Sequence, residues 1–157
     1  MPGYFRMRCD LTGPIAAAPL PQGTELLPFG KTIANEAREL MRRVYPDGLN
    51  DGGISFEGFW AWLTTEPEYD AELMFAALRD GMVVGFCHCW RDAFVKDLVV
   101  APEFRRRGLG SALLTMGLAA FARRDATFVD LKTDIENETA QSLYRRLGFE
   151  IVERVGG

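Results

Sequence analysis

Val99-Val100-Ala101-Pro102-Glu103-Phe104-Arg105-Arg106-Arg107-Gly108-Leu109-Gly110-Ser111-Ala112-Leu113-Leu114 is the stretch on which the fold of this chain turns. An apolar, β-branched run stops at a proline. A basic, glycine-punctuated turn follows and opens directly into an apolar helix. The first turn of a helix leaves backbone N–H groups without partners and carries a partial positive charge, so it attracts anions. Gly108 and Gly110 let a phosphate approach the backbone closely, and Arg105, Arg106 and Arg107 add positive potential. The arrangement reads as a cradle for a pyrophosphate. The plain alternative is a solvated basic turn capping an ordinary helix.

The spacing Arg105-x-x-Gly108-x-Gly110 is not a Walker A loop, because no Gly-Lys-Ser/Thr follows. Nor is it the three-glycine dinucleotide fingerprint. A second segment follows downstream: Asn137-Glu138-Thr139-Ala140-Gln141-Ser142-Leu143-Tyr144-Arg145-Arg146-Leu147-Gly148-Phe149. Ala140, Leu143, Tyr144 and Leu147 recur at helical spacing, which puts Tyr144 on the inward stripe. Gly148 sits where a helix C-cap needs positive φ, just ahead of an apolar strand. An inward tyrosine is ordinarily core, with its polar tip finding a partner.

Together, and in this order, the two segments resemble the GNAT N-acetyltransferases. The first matches that family's Arg/Gln-x-x-Gly-x-Gly/Ala loop after a strand ending in Val-x-Pro. The second matches its Asn-x-x-Ala-x-x-x-Tyr-x-x-x-Gly-Phe segment. The resemblance covers residues 70–153. It implies an α/β (α+β) fold: a central mixed, mostly antiparallel, twisted sheet of six to seven strands flanked by about four helices. It also implies acetyl-CoA as cofactor and a primary amine as acceptor, joined in a ternary complex without a covalent enzyme intermediate. The acceptor expected is a small amine. A protein N-terminus or lysine, or a non-catalytic acyl-CoA-binding sensor role, are the alternatives. Degenerate members usually lose the loop or the tyrosine, and this chain keeps both.

Composition is consistent with this class. The chain has 157 residues, 48% hydrophobic and 25% charged, enough for one globular domain with a real core. A net charge of −4 argues against a general nucleic-acid binder and mildly favours a cationic substrate. No apolar run reaches the length of a membrane span and no signal-peptide pattern opens the chain, so a cytoplasmic, membrane-free protein is expected. Three cysteines do not make a disulfide framework. Cys87-His88-Cys89 offers too few ligands for zinc, so no metal is expected.

Periodicity and turn residues place strands at 4–11, 24–29, 72–79, 82–90, 93–100, 127–133 and 149–154. Helices fall at 32–45, 56–64 (capped by Ser55), about 107–124 and 139–147. Asp80-Gly81 turns a hairpin, and the Pro/Gly-rich residues 12–23 read as a linker. GNAT domains usually end in a hairpin whose last strand completes the sheet. Here Val155-Gly156-Gly157 falls where that turn should begin, and Gly3–Leu11 looks like the missing strand. The expectation is a circular permutant with residues 4–11 relocated beside 149–154. The alternative is an ordinary first strand and an open C-terminal edge.

What acyl transfer requires then assigns roles by resemblance. Backbone N–H groups of Arg106, Arg107, Gly108, Leu109, Gly110 and Ser111 would hold the pyrophosphate, with Arg105 alongside. The pantetheine arm would run along Lys96–Val100, pairing at Leu98 and Val100 beside Val99. A backbone N–H there would polarise the thioester carbonyl. Asn137 and Ala140 would face the pantetheine region, and Tyr144 would protonate the departing thiolate. The base has two candidates: Asp97, on the same strand, and His88, the sole histidine. Glu57 and Glu72 are more distant ones, and some relatives use a water chain instead. Against Asp97 stands a purely structural ion pair, and against His88 a half-buried packing role. Some polyamine-acetylating relatives carry an acid where this chain has Lys96. For the acceptor, the loop 46–56 sets Asp47 and Asp51 beside Phe56, Phe59, Trp60 and Trp62, an aromatic, acidic wall suited to a small amine. A solvated turn above core aromatics is the other reading. Dimers are common in the family, and nothing in the sequence decides between monomer and homodimer.

Overall fold

The computed structural model describes residues 2–15 and 17–157; Met1 and Ala16, which belong to the expected tail-to-head join and linker, lie outside the described residues. In chain order the elements are β1 (Tyr4–Asp10), β2 (Glu25–Leu26), α1 (Lys31–Val44), α2 (Phe56–Thr65), β3 (Met74–Arg79), β4 (Met82–Trp90) and β5 (Phe94–Val100). These are followed by α3 (Leu109–Arg123), β6 (Phe128–Asp134), α4 (Glu138–Arg146) and β7 (Phe149–Val155). The strands form one seven-stranded sheet in the order β2-β3-β4-β5-β6-β1-β7. Every pairing is antiparallel except β5 with β6. The expected mixed, mostly antiparallel sheet with four helices is therefore what the chain forms.

Local chemistry explains most boundaries. Asp80 and Gly81 both adopt positive φ, as the tight turn between β3 and β4 needs. Ser55 Oγ accepts from Gly58 N at 3.1 Å to start α2. Asn137 does the same for α4, accepting from Ala140 N at 3.1 Å. Gly148, at φ +97°, turns the chain from α4 into β7.

Three expectations needed correction. The strand at 24–29 shrinks to Glu25–Leu26, because Pro28 and Gly30 interrupt the run ahead of α1. The strand from residue 72 begins at Met74. Asp70 accepts from Glu72 N at 2.9 Å and winds Ala71–Leu73 into a 3-10 turn instead. The helix expected from Arg107 begins at Leu109, since Arg106 and Gly108 hold left-handed φ values of +64° and +82°.

The core lies against both faces of the β3–β5 half of the sheet. Ala34, Ala37, Leu40 and Met41 of α1 pack on one face. Leu109, Leu113, Leu114, Leu118 and Phe121 of α3 pack on the other. Each fully buried leucine contributes about 2 kcal/mol of transfer free energy. Gly85 of β4 lets α3 come this close: a Cβ there would lie 2.7 Å from Leu109 Cδ2.

β1 lies inside the sheet. It pairs with β6 on one side, Arg8 opposite Asp130, and with β7 on the other, Cys9 opposite Phe149. Residues 4–10 thus sit beside residues 149–155 and not at the outer edge. The two ends of the chain meet there: a Cβ on Gly3 would lie 2.6 Å from Gly157 N. Asp130 is almost completely buried between Arg6 and Arg8, both at 2.7 Å. Burial alone would raise its pKa, but the two guanidiniums carry it below the usual carboxylate range. No helix among the described residues is long and apolar enough to cross a membrane.

Candidate active site

β5 and β6 pair only at Phe94–Asp130 and Val95–Leu131, and then part. From Lys96 to Val100 the edge of β5 that faces β6 is open, while from Asp97 to Val100 its other edge stays paired to β4. Parallel strands that separate in mid-sheet leave backbone groups available to an extended ligand.

The basic glycine loop adjoins the open edge. Among the described residues, the backbone amides of 106–111 donate to no backbone carbonyl, and the first bond of α3 runs from Ala112 N to Gly108 O. Six consecutive free amides at the N-terminus of a fifteen-residue helix form an anion cradle. The left-handed conformation of Gly108 aims them, and its missing side chain leaves open space. Arg105 donates to Val100 O at 3.3 Å, and Arg107 lies over Phe104 at 4.6 Å, so both stay beside the loop. Val99 and Leu109 turn their side chains into the core, so what they offer a ligand is backbone. A Cβ on Gly110 would lie 3.5 Å from Leu143 and 3.8 Å from Val100. The glycine thus stands between β5 and α4, at the passage from the cradle to the open edge. These residues fit a diphosphate with an extended arm.

Tyr144 projects from α4 toward the same place. Burial pushes its phenol up to about 12, with the neighbouring Cys87 and Asp97 adding to the effect. It stays protonated at neutral pH and can give a proton away. The Cys87 thiol is likewise raised, first by its contact with Cys89 at 3.6 Å between sulfurs and then by burial. Both are reduced packing residues on the α3 face, with Cys9 also free. No cluster of three or more potential metal ligands occurs among the described residues. The Asn137 side-chain oxygen is committed to capping α4, and Ala140 is the residue whose amide it caps.

On the opposite face of β4 and β5 lies a cleft of about 420 Å3, lined by parts of α1, α2, their loop, β4 and β5. Asp97 is its centre. Oδ1 accepts from the Tyr45 hydroxyl at 2.6 Å and Oδ2 from Lys96 Nζ at 3.0 Å. His88 Nδ1 lies 3.8 Å from Oδ2, too far for a hydrogen bond. His88 is buried, not half-buried, and its ring lies 4.2 Å from that of Trp90. Burial drives its pKa down to about 4 against the pull of Asp97, so it is neutral at physiological pH. Its Nε2 is buried without a partner among the described residues. Burial, followed by the charge of Asp97, raises the Tyr45 phenol above its ordinary value.

The residues expected to form an acceptor wall divide between the cleft and other surroundings. Asp51 lines the cleft but is bound to Arg38 at 2.7 Å, while Asp47 is exposed and outside it. Phe59 and Trp62 face the cleft, whereas Phe56 stacks on Trp60 at 6.4 Å and Trp60 packs toward Phe29. Glu57 pairs with Lys31 at 2.9 Å and Glu72 with Arg124 at 3.4 Å, and neither lines the cleft. Three further residues escaped the sequence reading. Arg38 stands four residues after Ala34 and three before Met41, a spacing that marks it as inward. Tyr45 ends the apolar stripe of α1 before Pro46. For Lys96 as a cleft residue there was no signal, because a bulge places it.

Residues 34–149 match the model of the Acetyltransferase (GNAT) family. A mycothiol acetyltransferase of Thermobispora bispora is 35% identical over 156 residues, covering 92% of this chain and 52% of the relative. The chain spans about half the length of this and two other mycothiol acetyltransferases that it matches. Among solved structures, a GCN5-related N-acetyltransferase from Sphaerobacter thermophilus superposes with a TM-score of 0.80. It is 26% identical, and the match covers 98% of this chain and 49% of that one. Arabidopsis thaliana Naa50 in complex with the bisubstrate analogue CoA-Ac-MVNAL shares the fold, with a TM-score of 0.66 and 21% identity, covering 83% of this chain and 85% of that one.

Proposed function

Because this chain belongs to the GNAT acetyltransferase family, we propose that it moves an acetyl group from acetyl-CoA to a primary amine by direct attack in a ternary complex. The observation that carries the reading is the parting of β5 from β6 beside the free amides of residues 106–111. Those amides, with Arg105 to Arg107 nearby, hold the pyrophosphate, and the open edge at Leu98 to Val100 takes the extended arm. Bound acetyl-CoA supplies a thioester whose carbonyl carbon is the electrophile.

Asp97 holds the amine and takes its proton. It is the carboxylate in the cleft nearest the parted strands, fixed there by Tyr45 and Lys96. His88 keeps the floor of the cleft neutral. The amine nitrogen forms the C–N bond while the C–S bond breaks with its electron pair on sulfur. Tyr144 gives the sulfur its proton. The products are an amide and a free thiol.

A thiol-release assay with a panel of amines, run on wild type and Tyr144→Phe, tests this. The expected result is turnover that falls by about 100-fold or more in kcat on removing the phenol, with acetyl-CoA affinity little changed. Tight acetyl-CoA binding without turnover on any amine would instead favour an acyl-CoA-binding sensor.

A further inference from the structure

Lys96 and Asp97 are consecutive, and consecutive side chains of a regular strand point to opposite faces. Both nevertheless line the cleft. The cause is a register shift between β4 and β5: His88 stands opposite Asp97 and Cys89 opposite Val95, leaving Lys96 as the extra, unpaired residue. Bulges of this kind turn side chains toward binding sites. An ammonium and a carboxylate are thereby set side by side at 3.0 Å, the first 40% and the second 11% exposed.

The rest of the cleft adds no free charge. Asp51 is neutralised by the buried Arg38, and His88 is uncharged. Met41, Leu49, Ile54, Phe59 and Trp62 make most of the remaining wall apolar, with Asn50 and Tyr45 its uncharged polar members. Such a surface does not suit a polyamine, which needs several uncompensated carboxylates. It complements a ligand whose own positive and negative groups are adjacent and whose body is greasy. Resting on the acetyltransferase reading, we propose that the acceptor is an α-amino acid with an apolar side chain. The amino group meets Asp97, the carboxylate meets Lys96, and the side chain lies against Leu49, Ile54, Phe59 and Trp62. The α-amino nitrogen, bound as the ammonium, loses two protons and gains the acetyl carbon. One proton leaves through Asp97 to solvent, and the other replaces the one that Tyr144 gives the departing sulfur, giving an N-acetyl amino acid, the thiol and one released proton.

Acetyl-CoA binding is measured first, by calorimetry. Thiol release is then followed with free phenylalanine, phenylalanine amide, phenethylamine and spermidine. Wild type, Lys96→Met and Lys96→Gln are compared. Free phenylalanine should exceed its amide and phenethylamine by about tenfold or more in kcat/KM, with spermidine last. Both Lys96 variants should lose that advantage through a KM raised for free phenylalanine more than for its amide or phenethylamine, so that the three acceptors come within about threefold of one another in kcat/KM. Equal or better turnover of phenethylamine or spermidine by wild type would overturn the inference. So would a preference retained in the Lys96 variants, or acetyl-CoA binding with no acceptor used. Absence of acetyl-CoA binding would overturn the acetyltransferase reading itself.

Discussion

Two sites meet along β5, and they are made of different material. The cradle at residues 106–111 is built from backbone: free amides, a helix terminus and a glycine in a left-handed turn. The cleft on the other face is built from side chains that arrive from α1, α2, β4 and β5. A backbone site depends on where the chain bends, which glycine and proline spacing announces. A side-chain site depends on which residues the fold brings together, and a buried pair such as Arg38–Asp51 exists only after packing. The donor side and the acceptor side should therefore fail separately.

Arg38→Met tests that separation most severely. It removes the buried partner of Asp51 and the donor to Ile54 O, both at 2.7 Å. Asp51 is 23% exposed and can turn toward water, so the cost should be about 2–3 kcal/mol in denaturant unfolding. The loop over the cleft loosens, acceptor KM rises several-fold, and acetyl-CoA affinity stays as in wild type. A loss of acetyl-CoA affinity would show that the two sites are one unit.

His88 separates them by pH. Its folded pKa, near 4, lies below the ordinary value of 6.5, so between those values the unfolded chain binds more protons. Stability is unaffected above pH 6.5 and is lost as pH falls toward 4. Between pH 7 and pH 5 the loss attributable to this group should be about 2 kcal/mol. His88→Phe should flatten that part of the pH dependence of the unfolding midpoint. An unchanged slope would mean that His88 is not held neutral by burial.

The smallest effect is expected at the chain ends. With Gly3 packed on Gly157 and β1 lying between β6 and β7, a chain joined there and reopened within residues 12–23 keeps every strand pairing. Its stability should stay within about 1 kcal/mol of the parent, with acetyl-CoA affinity intact. A permuted chain that fails to fold would contradict the relocated-strand reading.

What could be read beforehand follows the same division. Most of the strands and helices are visible in apolar periodicity and turn residues, as are the Ser55 cap and the left-handed Gly148, whereas the capping of α4 by Asn137 emerges only in the structure. The anion loop was visible because Gly108 and Gly110 have few other uses at that spacing. Of the aromatics Phe56, Phe59, Trp60 and Trp62, read together from the sequence, residue type does not say which face the cleft, and only tertiary packing chooses Phe59 and Trp62. Asp51 looked like a free acid because its partner Arg38 lies thirteen residues away on another element. The bulge at Lys96 has no signature in residue type, so the paired charges of the cleft emerge only from strand register.

Calorimetric titration of acetyl-CoA into wild type and Gly108→Glu tests the central claim most directly. The substitution sets a negative charge among the free amides and forces a β-carbon onto a φ of +82°. Micromolar binding to wild type, weakened by about 100-fold or more in the variant while its fold is retained, is the predicted result. Equal binding by the two proteins would place the diphosphate elsewhere and contradict the account.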